Sequence, residues 1–256
     1  MAQHRPQNRP QHVIGIDFGT LSGRTVVVAA SDGEELGMGE FHYPHGVMDP
    51  ELAQTGERLP AAWALQDPQD YAEVLRHAVP AALEDSGVDP ESVVGVGTDF
   101  TSCTIMPTLR DGTPLCRLDD LSGRPHAHPK LWRHHAAQPQ ADRVTEVAAR
   151  RGEPWLDRYG GRISSQWAIA KALQVLEEDP ELYDRMERWV EAGDWIAWQL
   201  CGEEVRKPVP PVTRRCIRMG HIRLRPTSLR WTSALPTSPP SGWRSRRPSS
   251  ALARAR

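Results

Sequence analysis

At 256 residues and 28.6 kDa the chain is long enough for one large domain or two small ones, and its 39% hydrophobic and 25% charged residues are ordinary for a soluble protein. No apolar run nears the ~20 residues of a helical membrane span, the first 12 residues lack the apolar centre of a secretory signal, and Cys103, Cys116, Cys201 and Cys216 include no CxxC pair. A membrane partner, a disulfide framework and a zinc site are therefore not expected, and reduced thiols fit a cytoplasmic protein. The net charge of −2 hides an asymmetry: residues 1–204 carry all 33 carboxylates against 18 Lys and Arg, and the last 52 carry 13 Lys and Arg and no carboxylate.

After a polar lead-in over 1–12, expected to be disordered, Val13 to Val28 reads VIGIDFGTLSGRTVVV. Two β-branched runs flank a small polar turn, with Asp17 closing the first run and Arg24 opening the second, which predicts strand, turn and returning strand. Gly19 and Gly23 are expected to reach φ values closed to other residues and to let backbone approach a ligand, while Thr20 and Ser22 supply amides and hydroxyls to the concavity. Such a hairpin can cradle phosphate. Asp17 beside phosphate needs an intervening cation, so it is read as holding Mg2+ directly or through water. The same spacing also suits an ordinary β-hairpin whose Asp17 orders the turn.

Ser31-Asp32-Gly33-Glu34 is a second turn and Glu35 to Tyr43 a third antiparallel strand, followed by a polar loop through Pro60. Asp67 caps and Pro68 opens a helix in which Tyr71, Val74, Leu75, Ala78, Val79 and Leu83 recur at helical spacing up to Gly87, with a kink expected at Pro80. Val93 to Phe100 is a strand expected to be buried on both faces. Thr98, Asp99, Thr101, Ser102 and Thr104 cluster hydroxyls around one carboxylate at its carboxyl end, a place to meet a polyhydroxy ligand, unless they only cap the strand. Ile105 to Leu109 and Thr113 to Cys116 predict a hairpin around Arg110-Asp111-Gly112.

His126, His128, His134 and His135 are read as solvated or loop-packing residues in preference to metal ligands, since no carboxylate is near them in sequence. Helices are expected over Lys130 to Ala137, from Pro139 to Arg151, from a Ser164 or Ser165 cap to Glu178, from Asp179-Pro180, and over Asp194 to Cys201 with Gly202 as the stop. Trp132, Trp155, Trp167, Trp189, Trp195 and Trp198 are mostly core residues, with one or two available to stack on a sugar face. Lys171 stands among apolar neighbours, so it either snorkels to solvent or is held for an anionic or hydroxyl ligand.

Five segments in order carry a resemblance: GIDFGTLSGR from Gly15, GVGTDFTSCTIMP from Gly95, HAHPKLWRHHAAQPQADR from His126, RYGGRISSQWAIAK from Arg158 and EAGDWIAWQLCG from Glu191. Over about Val13 to Arg206 the chain resembles the FGGY carbohydrate kinase family. That implies an α/β, ribonuclease-H-like N-terminal domain with added helices, of the ATPase fold shared with actin, hexokinase and the Hsp70 chaperones. It implies ATP and Mg2+ as cofactors and a small-molecule sugar as substrate, with the γ-phosphoryl passing to the C5 hydroxyl of L-ribulose in L-arabinose catabolism. By motif, Asp17, Gly19, Thr20, Ser22 and Arg24 would bind phosphate, with the metal on Asp17. Thr98, Asp99, Ser102 and Lys171 would line the sugar pocket. The family's base is an aspartate in a second, nucleotide-binding domain that has no counterpart in this text, so no catalytic residue is assigned, and homo-oligomer formation is left open.

From Lys207 the text changes to 11 Arg, 8 Pro and 7 Ser in 50 residues, without apolar periodicity. It is read as a basic, disordered tail arising from out-of-frame translation of a GC-rich gene. The rival is a real basic arm for nucleic acid. The head is accordingly a carbohydrate kinase by family and an inactive fragment by itself, the alternative being a non-catalytic fragment that binds sugar or a partner.

Overall fold

The alternation of apolar residues in β1 (His12–Phe18) sets the architecture of the first of two compact units into which the described residues, 10–204 of the computed structural model, divide. This unit comprises 10–44 and 69–100. β1 returns through a tight turn as β2 (Ser22–Ala29), and β3 (Glu35–His42) continues the antiparallel meander. The chain then crosses by α1 (Pro68–Ser86) to β4 (Val93–Phe100), which lies parallel to β1, so the sheet order is β3-β2-β1-β4. Gln11 and His12 belong to this fold and not to a lead-in: the Gln11 carbonyl accepts the Ala30 amide at 2.9 Å and His12 opens β1.

Ile14, Ile16, Phe18, Thr25 and Val27 are buried on one face of the sheet, and Tyr71, Val74, Ala78 and Ala82 are among the buried residues of α1. Phe18 stacks on Phe100 at 5.2 Å, with Tyr71 edge-on to Phe100 at 4.9 Å, which joins helix to sheet. The helix lies so close that a Cβ at Gly39 would stand 2.3 Å from the Ala78 carbonyl oxygen, and one at Gly37 2.4 Å from the Ser86 nitrogen. α1 runs through Pro80 as one helix.

β4 is not buried on both faces, contrary to expectation: Val94 is 48% exposed and only Val93 is fully buried. Gly95, Gly97 and Asp99 stand in register with Val13, Gly15 and Asp17 on the face away from α1, and two of those three carry no side chain to cover that face. Met38, in register with Val26, is 64% exposed.

The second unit holds 45–68 and the described residues from 101 onward. β5 (Ile105–Thr108) pairs antiparallel with β6 (Arg188–Glu191), a strand the sequence did not announce. The predicted hairpin forms its turn and a single antiparallel bridge, Thr108 to Pro114, with the Leu109 amide donating to Thr113 O at 2.8 Å. Pro114 has no N–H to extend the ladder, and Leu115–Arg117 coil into a 3-10 turn. The helix expected over Lys130 to Ala137 is absent, because Lys130 instead exchanges backbone bonds with Ile105 at 3.1 and 2.8 Å; long-range pairing has overridden local propensity.

α2 (Gln138–Arg150), α3 (Ala168–Glu178), α4 (Pro180–Arg185) and α5 (Ala192–Cys201) follow the predicted order. α3 begins past its expected serine cap, since the Ser164 hydroxyl accepts the Gln166 amide in a local turn instead. Residues Ala168 to Val175 are all buried: Ala168, Ala172 and Val175 pack with Ile105, Leu182 and Trp189, while Ile169, Ala170 and Leu173 pack with Ala141, Val144 and Trp155. The Asp179 carboxylate caps α4 by accepting the Leu182 amide at 3.1 Å, and Gly202, at φ 75°, stops α5. Trp155, Trp189, Trp195 and Trp198 are core residues, whereas Trp132 is 40% exposed. No described helix is long and apolar enough to cross a membrane.

Close helix packing on β3 predicts an asymmetry between two glycines. Gly39→Val should destabilise the chain by about 1–3 kcal/mol in urea denaturation through overpacking. Gly97→Ala, where no atom lies within 4 Å of the added Cβ, should leave the midpoint unchanged or slightly raised.

Candidate active site

The turn between β1 and β2 is closed by the Gly19 amide donating to Ser22 O at 2.9 Å, and backed by the Tyr43 amide donating to Leu21 O at 2.9 Å. Neither Gly19 nor Gly23 has positive φ, so their role differs from the one expected. A Cβ at Gly19 would meet Ser22 O at 3.0 Å and one at Gly23 would meet Val74 Cγ2 at 2.4 Å; the glycines are required by close approach. Ser22 spends its hydroxyl proton on Glu40 Oε1 at 2.8 Å.

Strand register lines up four charged residues across the sheet. Asp99 of β4 stands beside Asp17 of β1, Asp17 opposite Arg24 of β2, and Arg24 opposite Glu40 of β3, all on the face away from α1. The Asp17–Arg24 pair is loose, at 3.7 Å with side chains 49% and 63% exposed, and is worth about 0–1 kcal/mol in water. Asp99 Oδ1 accepts the Phe100 amide at 2.9 Å. Two neighbouring carboxylates with one guanidinium make a set of hard oxygens suited to a cation that keeps most of its waters, the habit of Mg2+. Among the described residues no group of three or more His, Cys, Asp or Glu side chains is placed to enclose a metal.

Behind the hairpin, Tyr43 and Asp70 are buried, and the Tyr43 hydroxyl finds no hydrogen-bond partner. Burial first, then the charges of Asp70 and Asp17, push the Tyr43 phenol well above its ordinary range. Negative potential thus collects at this end of the sheet. Thr98 does not share the row: it pairs with buried Ile16, on the α1 face.

Ser102 and Lys171 lie in the second unit. Ser102 is exposed, in a Thr101–Thr104 stretch where the two threonine hydroxyls bond each other at 2.8 Å. Lys171 neither snorkels nor presents a free ammonium. It is fully buried, and its Nζ donates to Cys103 O at 2.7 Å, Leu131 O at 2.9 Å and Lys130 O at 3.3 Å, three donors for three acceptors. Lys130 is buried as well, with its Nζ bonded to His126 O and 5.4 Å from the Trp63 ring centroid. Burial pulls both lysines down to about 7.

The histidines form a packed chain. His134 Nδ1 accepts the Ala64 amide, its Nε2 bonds Gln174 Oε1 at 2.9 Å, Gln174 donates to Glu178 Oε2 at 3.2 Å, and that oxygen bonds His126 Nε2 at 3.1 Å. Trp63 lies edge-on against both rings. Burial drives His126 and His134 down to about 2, so both are neutral near pH 7. Lys130, Gln174 and Glu178 escaped the sequence reading because their spacing marks no motif and only folding brings them together.

The described residues share their fold with solved sugar kinases. A xylulose kinase from Bifidobacterium adolescentis superposes with a TM-score of 0.55 at 19% identity, covering 79% of this chain and 36% of its own, and one from Rhodospirillum rubrum with 0.56 at 19%, covering 76% and 35%. No protein-family model matches the chain. Over about three quarters of its length the chain is similar to ribulokinases: it is 59% identical over 202 residues to ribulokinase of Mycolicibacterium smegmatis and 50% over 196 residues to that of Anoxybacillus flavithermus. It spans 36% and 35% of those proteins' lengths.

The buried bases set a pH dependence. His126 and His134 have folded pKa values below the unfolded one of ~6.5, so the unfolded chain binds more protons between about 2 and 6.5 and stability falls as pH is lowered through that range. Lys130, at about 7 when folded against ~10.4 unfolded, adds stability that grows as pH rises from 7 to 10. Urea midpoints should rise across both windows, and Lys130→Met should lessen the upper slope without removing it, because Lys171, also at about 7 when folded, titrates over the same range.

Proposed function

We propose that this head is the sugar-facing, N-terminal part of an ATP-dependent kinase that phosphorylates L-ribulose at its C5 hydroxyl, in L-arabinose catabolism and in the cytoplasm. The 59% identity to a ribulokinase carries the reading, and the Asp99–Asp17–Arg24–Glu40 row supports it, because oriented charge at a strand–turn–strand hairpin suits a metal-bound polyphosphate. Asp17, with Asp99 beside it, would hold Mg2+, which shields phosphate charge from the carboxylates. The backbone at Gly19, Thr20 and Ser22 approaches the phosphates, and Arg24 draws in their charge; with its hydroxyl engaged by Glu40, Ser22 acts through its main chain.

On the sugar side the exposed hydroxyl of Ser102 and the exposed indole of Trp132 are suited to a polyhydroxy ligand with an apolar ring or chain face. Thr98 supports the strand from its inner face. The sugar's proton passes to a base that we assign to the kinase beyond the stretch matched by this chain, along with the adenosine pocket. Residues 207–256, outside the described part, we read as out-of-frame text. The gene sequence tests this, since an alternative frame must then encode a Gly-rich phosphate loop and an aspartate.

The decisive assay is ATP-dependent phosphorylation of L-ribulose by this chain and by a frame-corrected chain extended past Arg206. Turnover by the corrected chain alone is expected, the loss of base and nucleotide contacts costing several factors of about 10²–10⁴ each. Turnover by neither chain favours a non-catalytic sugar- or partner-binding fragment, and turnover by both means that the head holds its own base. In the extended enzyme Asp17→Ala should abolish turnover while leaving L-ribulose affinity, read by calorimetry, within about twofold; equal loss of both contradicts a phosphate and metal role.

A further inference from the structure

Lys171 is a charged side chain in the middle of α3, and burying it there demands compensation. Its three carbonyl partners come from two segments: Cys103 from the Thr101–Thr104 stretch that leads into β5, and Lys130 and Leu131 from the extended chain after Pro129. These segments already touch through the reciprocal Ile105–Lys130 backbone pair, and the ammonium sits at the end of that pair. Cys103 has φ 64°, and with Ala62 it is one of two non-glycine residues in the left-handed region among the described residues. An L side chain keeps that conformation only where its surroundings hold it, and the shortest of the Lys171 bonds, 2.7 Å, goes to the carbonyl of this residue. The residue preceding Cys103 is the exposed Ser102; the residue following Leu131 is the exposed Trp132.

We propose that Lys171 is a positioning residue whose ammonium pins the Cys103 and Leu131 carbonyls to a common point, and so fixes Ser102 and Trp132 relative to each other. That these two neighbours meet a sugar rests on the kinase reading. The pinning does not. Lys171 thus acts through backbone and does not itself touch substrate, which replaces the expectation that it lines the pocket.

The test compares the 256-residue chain with its Lys171→Met variant, which keeps the stem and removes the donors. Cys103 and Cys116 are both buried free thiols of the same unit, and Cys116 packs with Leu115, Trp189 and the side chain of Ile105 in a cluster to which Cys103 does not belong. Mass-spectrometric alkylation should show Cys103 labelled about tenfold to a hundredfold faster in the variant, with Cys116 unchanged and amide exchange accelerated at Ile105 and Lys130. Adding Cys103→Gly, which takes positive φ without strain, should return Ile105 exchange toward the parent rate. Equal acceleration at both thiols, or none at Cys103, overturns the proposal, since Lys171 would then be a general core residue. L-ribulose titration by calorimetry separates the two readings. If the parent chain binds and Lys171→Met binds at least about tenfold more weakly, the pin serves the ligand; if the parent does not bind while Cys103 is still released in the variant, the sugar reading fails and the pin stands.

Discussion

The pleat of β1 forces a division that the first unit inherits. Successive side chains of a strand point to opposite faces, so burying Ile14, Ile16 and Phe18 under α1 turns Asp17 to the other face, where Arg24 and Asp99 flank it in register. A slip of one residue would bury the carboxylate and expose the apolar set. The hydrophobic effect therefore positions the charged row, and the loose 3.7 Å ion pair follows from it and does not cause it.

The second unit solves a different problem. It buries Lys130, Lys171, His126, His128 and His134, groups that cost several kcal/mol when unpaired, and satisfies most of them with carbonyls, a glutamine and a glutamate. The two lysines draw on backbone oxygens of turns and loop segments: those of His126, Cys103, Lys130 and Leu131. Such networks rigidify loops at the expense of acid tolerance, since protonating a buried imidazole adds a charge with no partner.

Much of the first unit was legible in the sequence: the β-branched runs around Gly19–Gly23, the Pro68 helix start and the Val93–Phe100 strand each obey a local rule of propensity or capping. So were Pro180 and Gly202 at helix ends in the second unit. The Lys130 helix, the Thr113 strand and the glycine φ values were read from local preference, yet Lys130 pairs with Ile105, Thr108 lies opposite Arg188, and Gly23 yields to Val74 of α1. For Lys130 and Gly23 a partner distant in the chain decided, while the Thr113 strand stops at the missing Pro114 N–H.

The sequence by itself determined which residues can carry chemistry: a carboxylate closing an apolar strand, a polar turn behind it and hydroxyls after β4. Tertiary structure alone decided where those groups face and which are spent. Ser22's hydroxyl goes to Glu40, Thr98 turns to the α1 side of the sheet, and Lys171's ammonium serves three carbonyls. The physical reason is that composition and spacing fix the donors a chain owns, whereas pairing across tens of residues, driven by the cost of leaving any buried polar group unmatched, fixes which of them remain for a ligand.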